Sequence, residues 1–220
     1  MSSKSFLFCS LSDRPEFSKP MFQHLEMYCE KHNYKCVLEN KVLSDQRAPA
    51  WSKILLIQRE MKANPDIDTI VWVDDDILIT NKDIKFDELI KPYPFHCILL
   101  SEDVVWSPFN CGMMVCKNNK ETYDYLTTIW ELCEQYPDKK FSGLWEQDIL
   151  VIHTKLMSFI NPKHKMTLTV IPHNIIQSFF RDYDLPADKR WKPGHFSAHF
   201  TGMPMNRRMY MRDIVLKQIE

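Results

Sequence analysis

Glycine is scarce in this chain: four residues in 220, where a usage of roughly 7% would give about fifteen. The four, Gly112, Gly143, Gly194 and Gly202, all fall in the second half and outside the predicted helix interiors. Such economy points to positions that need φ > 0 or a close backbone approach, although Gly143 reads best as an ordinary turn. Net charge is almost absent as well; a formal value of -1 argues against a general nucleic-acid or membrane-surface binder. The seven cysteines (9, 29, 36, 97, 111, 116 and 133) include no C-x-x-C pair, so free thiols in a reducing cytosol fit better than a disulfide framework or a zinc site. No apolar run approaches membrane-spanning length. Met1-Ser2-Ser3-Lys4-Ser5 leads into only a short apolar strand, so neither a signal peptide nor a membrane anchor is expected, and the chain reads as cytosolic.

What is present is a compact, enzyme-sized pattern. At 45% hydrophobic content, one sizeable core over residues 1–220 is feasible. The first half alternates strand and helix. Phe6-Leu7-Phe8-Cys9 predicts a strand, and Met21, Phe22, Leu25, Tyr28 and Cys29 predict a helix with Ser18 as cap ahead of Pro20. Tyr34 to Leu38 predicts the next strand, and Trp51, Ile54, Leu55, Gln58 and Met61 a second helix closed by Asn64-Pro65. The strand Ile70 to Val73 follows. Such βαβαβ alternation implies a mostly parallel sheet covered by helices, with ligands at the carboxyl ends of the strands. In the second half, Phe95 to Leu100, Cys111 to Cys116 and Thr167 to Ile171 read as strands. Asn118-Asn119 would cap a helix from Glu121 to Glu134, and further helices run from Trp145 to Met157 and from Met205 onward. Residues 172–193 read as a long aromatic loop, which implies function or poor order.

The chemistry concentrates in Asp74-Asp75-Asp76, three carboxylates between two apolar runs that both read as strand. Buried ionised carboxylates cost several kcal/mol each, to order of magnitude, unless compensated. In an extended backbone Asp74 and Asp76 share a face while Asp75 points away. Two convergent carboxylates suit a hard divalent cation, which often bridges to substrate phosphates. In His195-Phe196-Ser197-Ala198-His199-Phe200 the alternation predicts a strand with both histidines on one face, where His199 would add a neutral imidazole ligand. A helical zinc pair would place Glu where Phe196 stands.

Trp51-Ser52-Lys53, Val71-Trp72-Val73-Asp74-Asp75-Asp76, Asn110-Cys111-Gly112, Trp145-Glu146-Gln147-Asp148, Gly194-His195-Phe196 and His199-Phe200-Thr201-Gly202 occur in that order. The series resembles the GT-A glycosyltransferases, most closely the galactosyl- and xylosyltransferases of glycosyltransferase family 34, over roughly residues 51–202. The resemblance implies an α/β, Rossmann-like GT-A fold with a mostly parallel central sheet and a smaller mixed C-terminal region on the acceptor side. Residues 1–100 would form the nucleotide-binding half of a single domain and 101–220 the donor-sugar and acceptor half. It also implies a UDP-sugar (or GDP-sugar) donor, a glycan or glycoprotein acceptor, Mn2+ (or Mg2+), and retention of anomeric configuration. Asp74, Asp76 and His199 match the metal ligands. Lys53 would face the donor, and Asn110 and Gly112 would lie near its sugar. Gly202 would let a backbone N–H approach a phosphate, and Ser10, Ser12, Arg14 and Asp75 join the donor-binding set. Glu146, Gln147 and Asp148 are the catalytic candidates, with Asp148 favoured to reach the sugar; on a helix the adjacent acids point in different directions.

Two departures stand out. Family members carry a membrane anchor, and many have an acidic residue where this chain has His195, so the donor sugar does not carry over. A short soluble form of this kind looks like those of large DNA viruses or bacteria, or like a domain cut from a longer protein, and a viral protein in the host cytoplasm is the expectation. Two other classes fit parts of the pattern: a haloacid-dehalogenase-type phosphatase, which also uses D-x-D, and a carbohydrate-binding module stacking sugars on Trp106, Trp145 and Trp191.

Overall fold

The computed structural model describes residues 5–104, 107–160, 167–180, 185 and 187–219. The alternation of the first half builds β1 (Phe6–Leu11), α1 (Pro15–His32), β2 (Lys35–Glu39), α2 (Ser52–Ala63) and β3 (Thr69–Val73), with β1 parallel to both β2 and β3. After β4 (Ile77–Ile79) and the short α3 (Phe86–Ile90) come β5 (Ile98–Ser101), β6 (Asn110–Lys117), α4 (Lys120–Leu132), α5 (Glu146–Ile160) and β7 (Leu168–Ile171). The principal sheet has the order β2-β1-β3-β6-β5-β7 and is mixed but mostly parallel, because β6 runs against both of its neighbours. A smaller sheet, β4-β9-β8, is formed with β8 (Ser178–Phe179) and β9 (Ser197–His199), and the chain continues into α6 (Met205–Ile219).

Two-residue periodicity divides the core. In β1, Phe6 and Phe8 face α1 and α3, packing with Tyr28 and Phe86, while Leu7, Cys9 and Leu11 face the other helical layer. In β3, Val71 and Val73 join the first layer, whereas Ile70 and Trp72 join α2, α4 and α5 through Ile54, Ile57, Leu126, Ile129 and Ile149. Both faces of the sheet are therefore apolar, as a helix-covered sheet requires. A third cluster seals the small sheet: Leu78, Ala198 and Phe200 pack with Met211 and Val215 of α6 and with Phe17 and Met21 of α1.

Three local expectations are corrected. Ser18 does not cap α1; the helix begins at Pro15, whose fixed φ suits a first helical position, and Ser18 lies within it, its hydroxyl donating to Arg14 O at 3.2 Å. Pro20 consequently sits inside the helix. The carboxylate run is a turn rather than extended chain, closed by Ile77 N–H donating to Asp74 O at 3.0 Å. The strand predicted from His195 covers only Ser197–His199, and His195 lies in a turn closed on Lys192 O. The described residues of 172–193 include β8 and a 3-10 turn, Ala187–Lys189, while Arg181 and Trp106 lie outside the described residues. Among the described residues no helix is long and apolar enough to cross a membrane.

The cap predicted at Asn118-Asn119 falls on Asn119, whose Oδ1 accepts the Thr122 N–H at 2.8 Å. Asn119→Ala is expected to lower the unfolding free energy by about 1 kcal/mol. Urea denaturation checks this, and an unchanged midpoint would show that the cap contributes nothing to the folded state.

Candidate metal and donor site

The three aspartates leave the end of β3 in three directions, and each meets cationic or N–H groups from a different part of the fold. Asp74 continues the Trp72 side of the strand. Its Oδ1 accepts from Trp72 Nε1 at 2.6 Å and lies 3.0 Å from Lys53 Nζ on α2. Asp75 turns to the loop after β1, where Ser12 Oγ donates at 2.6 Å and Arg14 pairs with both carboxylate oxygens. Asp76 faces the small sheet and α6. His199 Nε2 lies 3.1 Å from its Oδ1, and Arg208 Nη1 lies 2.6 Å from its Oδ2.

These surroundings set the protonation of the two buried acids apart. Burial, reinforced by the Asp76 charge, pushes Asp75 up to about 6 despite Arg14. At Asp76 burial acts in the same upward sense, but the combined pull of His199, Arg208 and Arg14 holds it below the usual carboxylate range.

Donor atoms of Asp74, Asp76 and His199 lie within 4.8 Å of one another. Two hard oxygen donors and one imidazole suit Mn2+ or Mg2+. Charge favours a cation as well: among the described residues, Asp74, Asp75, Asp76 and Glu146 converge on three permanent cations, Arg14, Lys53 and Arg208. Gly112 makes room for the imidazole, since a Cβ there would stand 2.4 Å from His199 Cε1. The residues present fit the ion that the fold implies.

Lys53 differs from expectation. Its side chain is 3% exposed, and its ammonium donates to Cys111 O at 3.0 Å and pairs with Asp74 at 3.0 Å and Glu146 Oε1 at 2.7 Å. Although burial opposes the charge, Asp74 and Glu146 raise its pKa. It braces the cluster from below instead of presenting a free charge to a donor. Asp148 differs too. Its Oδ2 accepts from Leu144 N at 3.1 Å and pairs with Lys139 at 3.0 Å, which closes the start of α5. Glu146 and Gln147 are the members of that run which reach the centre, because successive helical positions diverge. Gln147 Oε1 accepts the Cys111 N–H at 2.8 Å, and Asn110 Oδ1 accepts the Gly112 N–H at 2.8 Å. Trp145, at φ 49, supplies the bend that admits α5. Gly202, at φ 69, turns the chain between His199 and α6.

Among the described residues, the buried polar atoms that lack a protein partner include Ser10 Oγ, Glu146 Oε2, Gln147 Nε2, Gln177 Oε1 and His199 Nδ1. Four of these five residues touch the segment Asn110–Gly112, its side chains or the Lys53 ammonium bonded to it. Unsatisfied buried groups cost about 1–3 kcal/mol each, so their convergence marks a polar ligand site. Trp72, Gln177 and Arg208 were not found from sequence. Trp72 had a signal, being two residues before Asp74 on the same strand face. Arg208 lies 132 residues from Asp76, and Gln177 sits in irregular chain, so neither had one.

Comparison with known proteins agrees with this geometry. A profile of the galactosyl transferase GMA12/MNN10 family matches residues 9–108. The chain has the fold of GT-A glycosyltransferases and is similar in sequence to the family 34 galactosyl- and xylosyltransferases. Galactomannan galactosyltransferase 1 of Cyamopsis tetragonoloba is 26% identical over 124 residues, covering 53% of this chain and 28% of its own. The probable xyloglucan 6-xylosyltransferase 3 of Arabidopsis thaliana is 29% identical over 123 residues, covering 53% and 26%. The chain thus spans little more than a quarter of these relatives. A solved glycosyltransferase involved in glycosylation of the major capsid of PBCV-1 has the same fold, with a TM-score of 0.73 at 16% identity over 95% of this chain and 99% of that one.

Lys53→Met should destabilise the protein without any ligand present, by roughly 3–5 kcal/mol, since it strands the buried Glu146 carboxylate and unpairs the half-buried Asp74. A wild-type denaturation curve would instead return Lys53 to a purely donor-facing role. Gly112→Ala should displace the His199 ring and weaken Mn2+ binding by tenfold or more in calorimetric titration, by order of magnitude a lost hydrogen-bond-scale contact. Unaltered Mn2+ affinity would remove His199 from the ligand set.

Proposed function

We propose that the protein transfers a sugar from a nucleoside-diphosphate donor, a UDP-sugar ahead of a GDP-sugar, to a glycan or glycoprotein acceptor with retention at the anomeric carbon. The observation that carries this reading is the meeting of Asp74, Asp76 and His199 at the carboxyl end of β3 in a GT-A sheet. Mn2+ or Mg2+ held there would neutralise the diphosphate as the glycosidic bond breaks. Ser10, Ser12 and Arg14, at the carboxyl end of β1, stand on the nucleotide side, with Arg14 anchored on Asp75. Arg208, on the same carboxylate as His199, is the additional cation beside the diphosphate position.

On the sugar side, Gln147 replaces Asp148 as the preferred contact. Its carbonyl is fixed on the Cys111 N–H and its amide Nε2 has no protein partner, so it is oriented to hydrogen-bond a sugar oxygen. Asn110 and Gln177, joined at 3.1 Å, extend the same wall. Retention is supported by the state of the acids. Glu146 is committed to Lys53 and Asp148 to Lys139, which leaves neither as a ready base for the acceptor hydroxyl. The departing phosphate would then take that proton on the same face.

The sugar-stacking module finds less support. Trp191 is buried, donates to Thr80 Oγ1 at 3.1 Å and packs edge-on against Phe180, so it offers no open platform.

A panel of UDP- and GDP-sugars with Mn2+, read by thermal shift, tests the donor. One should stabilise the wild type in a metal-dependent way, and Asp76→Asn should abolish the shift while leaving the free protein folded. Proton NMR of the first-formed product should show the donor's anomer. Full activity in excess EDTA, or the opposite anomer, would overturn the corresponding part of the proposal.

A further inference from the structure

A second group of ligating side chains lies at the other end of β6. The register that places Gly112 beside Asp74 pairs Cys116 with Ile98, so the segment before β5 sits about 17 Å away along the strand, at roughly 3.4 Å per residue over five residues. There His96, Cys97 and Glu121 bring an imidazole nitrogen, a sulfur and a carboxylate oxygen within 4.8 Å of one another. His96 Nε2 is 3.0 Å from Glu121 Oε2.

The backbone holding these groups is anchored on several sides. Cys97 O accepts from Lys117 N at 2.8 Å and from Thr122 Oγ1 at 3.4 Å, and His96 O accepts from Asn119 Nδ2 at 3.4 Å. The bend at residues 96–97, just before β5, lets consecutive side chains turn to one side, which regular strand would forbid. Glu121 is fixed in the first turn of α4 by the Asn119 cap. All three residues line one cavity of about 1170 Å3, bounded also by Tyr125 and Leu168, so an ion there has both an entry path and space for a water ligand.

We propose that His96, Cys97 and Glu121 form a zinc site, four-coordinate with a water from the cavity, that staples the start of β5 to the start of α4. The donor set selects the metal. Thiolate, imidazole and a single carboxylate suit Zn2+, whereas Mn2+ and Mg2+ favour the oxygen-rich Asp74–Asp76 site. Charge closes as well, because one thiolate and one carboxylate neutralise a divalent ion. Binding displaces the Cys97 thiol proton to solvent. The absence of C-x-x-C spacing concealed the arrangement: Cys97 and Glu121 are 24 positions apart and meet only because α4 returns over the strand end. The inference stands apart from the transferase reading.

Cobalt substitution provides the test. Metal-stripped protein titrated with Co2+ should develop the near-ultraviolet thiolate-to-cobalt charge-transfer band, which reports the Cys97 site alone, together with the visible bands of tetrahedral Co2+. Asp76→Asn should leave both intact, since the sites are separate. Cys97→Ser should lose the charge-transfer band. Glu121→Gln, whose side chain is exposed, should keep the fold and weaken Zn2+ binding at least tenfold, given that even outer-shell partners are worth roughly 10–100-fold. No charge-transfer band in the wild type, or an undiminished one in Cys97→Ser, overturns the site. Should Cys97→Ser fail to fold, Glu121→Gln decides it: wild-type Zn2+ affinity there overturns the proposal.

Discussion

Packing a run of three carboxylates, two of them buried and one half-buried, is the constraint on which the rest of this structure depends. An uncompensated charge in the interior costs several kcal/mol by order of magnitude, so no packing of Asp74, Asp75 and Asp76 survives without counter-charges brought from elsewhere. The turn at the end of β3 fans the three side chains apart and gives each its own partners: Lys53 and Trp72 for Asp74, Ser12 and Arg14 for Asp75, His199 and Arg208 for Asp76. These come from α2, β3, the loop after β1, β9 and α6. The C-terminal third of the chain therefore has an electrostatic as well as an apolar reason to return to β3. Phe200 N–H donates to Asp76 O at 3.0 Å, which ties the small sheet to the same turn.

The compensation is incomplete by design of the residue set. Among the described residues, four carboxylates share three permanent cations, and neutral donors and acceptors around Asn110–Gly112 are left without protein partners. Elsewhere the same sheet is largely apolar on both faces, with Thr69 and Ser101 among the buried polar exceptions. The concentration of unpartnered polar atoms around Asn110–Gly112 is what a bound cation and a polyoxygenated ligand would repair. It agrees with the relation to the galactosyl- and xylosyltransferases, of whose length this chain covers little more than a quarter. Lys53 belongs to this economy as a brace. By holding Asp74 and Glu146 together it fixes the position of a carboxylate of the candidate metal site and keeps Glu146 paired.

Glycine scarcity proved informative in a specific way. Gly112 is needed for the approach of the His199 ring and not for an unusual φ, whereas Gly202 is needed for its left-handed turn ahead of α6. Gly143, read as an ordinary turn, does take φ 76, and a Cβ there would also stand 2.6 Å from Asp148 Oδ2.

The sequence by itself determined the parallel βαβαβ beginning, the Asn119 cap, the covering of both sheet faces, and the pairing of Asp74 and Asp76 with His199. Each of these follows from short-range periodicity, local hydrogen bonding or an ordered motif series. It misjudged Ser18 because Pro15 is the stronger helix start, and it extended the backbone through Asp75 because alternation cannot distinguish strand from a tight turn. Only the tertiary structure decided which acids are free, which cation holds which carboxylate, and that Gln147 rather than Asp148 reaches the centre. Those outcomes depend on contacts such as Arg208 with Asp76, or Lys53 with Glu146, between residues far apart in the chain. Charge compensation is set by where distant elements pack, and no local pattern carries that information.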